Sequence, residues 1–160
     1  MRPALTLVLS LSLLFATLTT AEAGTNFTVR DINGRYVRLS DFKGKLLFMT
    51  FFATWCKPCL QELKHLVKLR KKYKSKGFEV LAVSLDGPET RAKVKPLAKR
   101  YKLKYPVVLD TENQVARLYN PRRAQPFSLL MKNGKVLKTH ESFQVSDVPK
   151  IEEEIVENLK

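Results

Sequence analysis

The apolar positions fall into blocks whose period changes along the chain. Between Lys45 and Phe52 the run Leu46-Leu47-Phe48-Met49-Thr50-Phe51-Phe52 is nearly continuous, which predicts a central strand buried on both faces. Phe78 to Leu85 alternates and then runs apolar, a second buried strand. Between them Leu63, Leu66, Val67, Leu69 and Tyr73 recur at helical spacing among lysines, so a helix is expected up to about Ser75, with Gly77 ending it. Phe27–Arg30 and Tyr36–Leu39 flank Asn33-Gly34, a hairpin turn signal, and Phe127–Met131 and Val136–Thr139 flank Asn133-Gly134 in the same way.

The remaining blocks are shorter. A helix is expected over Pro88–Tyr101, with Pro96 delaying or kinking it. A strand at Tyr105–Leu109, a short helix at Glu112–Tyr119 and a last helix from Ser146 or Asp147 follow. Pro149 lies in that helix's first turn, and Ile151, Ile155 and Leu159 form its apolar side. Alternating βαβ units of this kind imply an α/β protein: a central mixed sheet, largely parallel at the front, with helices on both faces.

At the N-terminus the pattern is of another sort. Arg2 precedes an apolar stretch from Ala4 to Leu18, and Ala21-Glu22-Ala23 presents small residues where a signal peptidase reads them. The expectation is a signal peptide over residues 1–23, cleaved before Gly24, and one domain over residues 24–160. An uncleaved segment would act as an anchor. Either way the domain is expected to be exported to a periplasmic or other extracytoplasmic, bacterial compartment that permits disulfides. The net charge of +14 would suggest nucleic acid, but export and the lack of a nucleic-acid module argue against it. Attraction to an anionic membrane surface or to acidic partners remains.

The chain has two cysteines, both in Cys56-Lys57-Pro58-Cys59 after Trp55. No others exist to build a structural disulfide or a zinc cage, so the chemistry indicated is electron exchange with other thiols. Cys56 is placed at a helix N-terminus, where free N–H groups and the helix dipole favour the thiolate nucleophile. Cys59 lies a turn deeper as the resolving thiol. Pro58 fixes the first turn, and Lys57 adds positive charge beside the thiolate.

Phe52-Ala53-Thr54-Trp55-Cys56-Lys57-Pro58-Cys59 resembles the active site of thioredoxin-fold proteins, in particular the exported TlpA/ResA-like thiol–disulfide oxidoreductases of the redoxin/AhpC-TSA type. The segments Gly34–Lys45, Phe78–Asp86, Tyr105–Asp110 and Phe127–Val136 continue the resemblance. It implies a thioredoxin-like fold with an N-terminal β-hairpin and a central βα insertion. It also implies a Cys56–Cys59 disulfide and no cofactor. Pro126 matches the family's cis-proline, which faces the cysteines, and Glu62 matches an acidic residue that tunes or shuttles the proton of the buried thiol. Gln125 stands where threonine or a small apolar residue is usual, and Thr50 where thioredoxins proper place a buried aspartate. Arg122 and Arg123 are expected to edge the substrate groove. The implied activity is reduction of protein disulfides, as in cytochrome c or copper-site maturation, with a membrane thiol–disulfide donor. An oxidase or isomerase is the alternative.

Two other readings fit less well. Peroxiredoxins need a threonine three residues before the reactive cysteine and a proline four before that, where this chain has Ala53 and Met49. A metal carrier would have to recruit His65 and His140, which lack the tight pairing of a metal site, so no metal is expected.

Overall fold

A computed structural model describes residues 26–159; the expected signal peptide lies outside them. Five strands form the main sheet in the order β5-β4-β3-β6-β7: β3 is Leu46–Phe52, β4 Phe78–Ser84, β5 Val107–Leu109, β6 Phe127–Lys132 and β7 Lys135–His140. β3, β4 and β5 run parallel, while β6 and β7 are antiparallel to their neighbours. Four helices complete it: α1 Lys57–Tyr73, α2 Val94–Arg100, α3 Gln114–Tyr119 and α4 Val148–Asn158.

The continuous apolar run of β3 follows from its central place. Leu46, Phe48 and Phe52 point to one face, where they meet Leu63, Leu66 and Leu69 of α1, Val94 and Ala98 of α2 and Ile151 and Ile155 of α4. Leu47, Met49 and Phe51 point to the other, against Val115, Ala116 and Tyr119 of α3 and the N-terminal hairpin. Each such fully buried side chain stabilises the fold by about 1.5–3 kcal/mol.

The hairpin consists of β1 (Thr28–Arg30) and β2 (Tyr36–Arg38), paired in their own small sheet. It is stitched to β5 by Ile32 N–H donating to the Val107 carbonyl at 2.9 Å and by an antiparallel bridge from Asp31 to Val108. The expected second helix shortens to α2, preceded by a 3-10 turn over Arg91–Lys93. Pro96 falls in the first turn of α2, where the N–H it lacks would have no helical partner. The third helix starts two residues later than expected, at Gln114, because Asn113 adopts φ 57°. Asp110 caps it from a distance, its carboxylate accepting from the N–H groups of Val115 and Ala116 at 3.1 and 2.7 Å. The last helix also begins after a 3-10 turn, over Val145–Asp147, and Leu159 is half-buried just beyond its end.

Candidate functional site

Parallel strands open their reactive ends in one direction, and the tetrad sits at the carboxyl end of β3. Cys56 is the N-cap of α1, with extended backbone (φ −84°, ψ 98°), and its Sγ accepts from Cys59 N–H at 3.3 Å. Cys56 and Cys59 are joined in a disulfide of S–S 2.03 Å with Cα atoms 5.3 Å apart. Cys56 is 6% exposed and Cys59 fully buried, while Trp55 beside them is 64% exposed. Lys57 and Pro58 face solvent in the first turn of α1.

β6 brings the other side of the site. Phe51 pairs with Phe127, so Pro126 reaches the same sheet end as the tetrad. The Gln125–Pro126 bond is cis; Pro126 is buried and Gln125 half-buried. Arg122 and Arg123 are exposed in the preceding loop, where Arg122 pairs with Glu141 and Arg123 donates to Asn113.

Glu62 lies under the pair. It follows Cys59 by three residues, so both fall on one face of α1, the face turned to the sheet, where Glu62 is only 1% exposed. Thr50 and Ser128 stand opposite each other in the β3–β6 ladder. Both hydroxyls donate to this carboxyl: Thr50 Oγ1 to Oε2 at 2.6 Å and Ser128 Oγ to Oε1 at 2.7 Å. Burial raises its pKa from 4.5 to about 7, against the lowering pull of these two hydrogen bonds. Thr50, where a thioredoxin would carry an aspartate, thus serves to hold a carboxyl supplied by the helix.

The loop before Cys56 is fixed by a residue that the sequence analysis did not single out. Asp86, buried beyond the end of β4, accepts from Thr54 N–H at 2.9 Å and Thr54 Oγ1 at 2.6 Å. Ser84 Oγ donates to the same carboxylate at 2.8 Å. A signal was present: an aspartate closing a parallel strand, level with the end of the strand that leads into the tetrad. The two histidines go elsewhere. His65 packs against Phe143, and His140 stacks on Phe48 with its Nε2 3.1 Å from Glu154 Oε2. Among the described residues no three metal-ligating side chains converge.

The chain is similar to known proteins. The thiol-disulfide oxidoreductase ResA of Bacillus thuringiensis is 42% identical over 113 residues, 71% of this chain and 64% of the relative. ResA of Bacillus subtilis is 39% identical over 113 residues, 71% and 62% of the two chains. The chain thus spans less than two thirds of the length of these relatives. Among solved structures, a putative thiol:disulfide interchange protein DsbE from Chlorobium tepidum superposes with a TM-score of 0.77 at 33% identity, over 84% of this chain and 94% of that one. A putative thioredoxin from Neisseria meningitidis does so at 0.72 and 29% identity, over 84% and 87%. The fold is thioredoxin-like. The sequence model of the AhpC/TSA family matches residues 20–149, and the chain belongs to that family.

Proposed function

We propose that this protein is a thiol–disulfide oxidoreductase that reduces protein disulfides through Cys56 and Cys59. The observation that carries this reading is the Cys56–Cys59 disulfide at the start of α1, above the buried carboxyl of Glu62. In the dithiol form, the Cys56 thiolate attacks one sulfur of a substrate disulfide. A mixed disulfide forms and the substrate's other sulfur leaves as a thiolate, which takes up a proton. Cys59 then loses its proton and attacks Cys56 Sγ, breaking the mixed disulfide and releasing the substrate's second sulfur as a thiolate, which takes up the second proton. The products are the Cys56–Cys59 disulfide and a substrate dithiol, so two electrons and two protons have moved to the substrate.

The carboxyl of Glu62 is suited to take the Cys59 proton, since a base with a pKa of about 7 is half-ionised near neutral pH. Lys57 and the first turn of α1 favour the Cys56 thiolate. Gln125 and Pro126 form the opposite wall, along which the substrate chain lies. Asp86 and Thr54 act as positioning residues for the approach to Cys56. Return to the dithiol needs an external thiol donor, for which we propose a membrane thiol–disulfide protein, with the domain exported and its substrates in cytochrome c or copper-site maturation. The peroxidase alternative gains nothing from the geometry, since Ala53 and Met49 are buried and bring no hydroxyl or ring to the site. The test is the reduction potential of the pair in glutathione or dithiothreitol buffers. A value near or below about −270 mV supports the reductase, and one near about −120 mV makes the protein a disulfide donor instead.

A further inference from the structure

Helix α1 carries Lys57, Lys64, Lys68 and Lys71 along one exposed line that begins beside Cys56. Among the described residues none of these four meets a carboxylate. The cations of α1 that do have acidic partners lie off this line: Arg70 pairs with Glu79 at 2.7 Å and Lys72 with Glu152 at 2.6 Å. The sequence explains the difference. From Lys57 to Gly77 the one acidic residue is the buried Glu62, and from Thr90 to Leu109 there is none. The acids are concentrated instead on α4, at Glu152, Glu153, Glu154 and Glu157.

α2 extends the same field. Lys64 Nζ lies 4.6 Å from the centre of the Tyr101 ring, and Tyr105 OH donates to the Leu63 carbonyl at 3.0 Å, which fixes the end of α2 against α1. Lys99, in the last turn of α2, and Lys102, just beyond it, are exposed as well. From Lys57 to Lys71 the line runs about 21 Å at the α-helical rise, the reach of about six residues of extended chain.

Resting on the function proposed above, we propose that this face of α1 and α2 is a docking surface for an acidic segment of the protein substrate, lying next to the disulfide being reduced. Cations held together without counter-charges repel one another, and carboxylates brought by a partner relieve that repulsion and steer the encounter. A protein partner is favoured over a lipid surface by position. The line starts at the residue after Cys56 and beside the exposed Trp55, so a membrane laid along it would cover the approach to the reactive sulfur.

The experiment uses prereduced protein and three synthetic peptides with the same disulfide loop, flanked by four glutamates, four serines or four lysines. Single-turnover reduction of the acidic peptide is expected to be about tenfold faster than that of the lysine peptide at low salt, with the gap closing as salt is added. The triple variant K64E/K68E/K71E should reverse the order, and K135E/K138E on β7 should leave it intact. All three proteins should reduce uncharged 2-hydroxyethyl disulfide equally, which shows that they are folded. Equal rates on the three peptides, with 2-hydroxyethyl disulfide still reduced, would overturn the docking surface alone. Failure on 2-hydroxyethyl disulfide would remove the oxidoreductase reading beneath it. Sedimentation with phosphatidylglycerol vesicles that needs Lys64, Lys68 and Lys71, without any peptide preference, would assign the surface to lipid and overturn the proposal.

Discussion

Thr50 Oγ1 donates a 2.6 Å hydrogen bond to Glu62 Oε2, tying the central strand to the buried side of the first helix three residues beyond Cys59. The carboxyl is fully buried and titrates at about 7, against 4.5 when unperturbed. Its folded pKa is the higher one, so between about pH 4.5 and 7 the folded state holds a proton that the unfolded state has lost. The stability linked to this group therefore falls as pH rises through that window, by about 1.4 kcal/mol per unit. The total over the window is about 3 kcal/mol. Urea unfolding at pH 5, 6, 7 and 8 should show the slope in the parent protein and lose it in Glu62→Gln. The same variant should flatten the pH profile of mixed-disulfide resolution near 7; an unchanged profile would confine Glu62 to a structural part.

Burial ranks the two sulfurs in the order of their proposed roles. Cys59→Ser should accumulate a mixed disulfide through Cys56, visible by non-reducing electrophoresis and mass spectrometry with a disulfide peptide. Cys56→Ser should capture nothing and lose turnover altogether. Capture by Cys56→Ser but not by Cys59→Ser would reverse the roles.

Asp86 joins the end of β4 to the loop that presents Cys56. Asp86→Ala leaves the Thr54 N–H and two hydroxyls without their acceptor, which costs about 2–3 kcal/mol of stability. Because Thr54 stands two residues before Cys56, exchange with a peptide disulfide should slow by more than the unfolded fraction accounts for. If the rate per folded molecule stayed at the parent value, the clamp would be purely structural.

Helix α3 depends on an acceptor outside itself. Asn113 makes no side-chain cap, and Asp110 meets two of the free N–H groups instead. Asp110→Ala should lower stability by about 1–2 kcal/mol. Hydrogen exchange should quicken first at Val115 and Ala116, with the reduction of uncharged disulfides unaffected.

Much of this is legible in the sequence. Continuous apolar runs mark strands buried on both faces, and the Asn-Gly pairs mark both hairpins, so sheet and turns come directly from spacing. The tetrad stood out because nothing else in the chain competes for its cysteines. The buried acids were harder to read. Glu62 is picked out by the family resemblance alone; by pattern it looks like any polar position in a lysine-rich helix, and its burial shows only when Thr50 and Ser128, 78 residues apart in sequence, meet across a ladder and supply its donors. Asp86 and Asp110 both close parallel strands, and what they bind is set by how the following loops return. Helix starts slipped for local reasons: Pro96 delayed one and the left-handed Asn113 another.

The hairpin stitched onto β5 has a bearing on which sheet edges stay open. It occupies the hydrogen-bonding rim on that side, so that among the described strands of the main sheet only β7 is left as a bare margin. That margin carries Lys135 and Lys138 in the open and a register shift between Leu130 and Met131 in the strand behind it. Charge and irregularity at a strand edge both discourage another chain from zipping on. If substrate chains are held at the cysteines, as proposed, this margin keeps them from being recruited into the sheet.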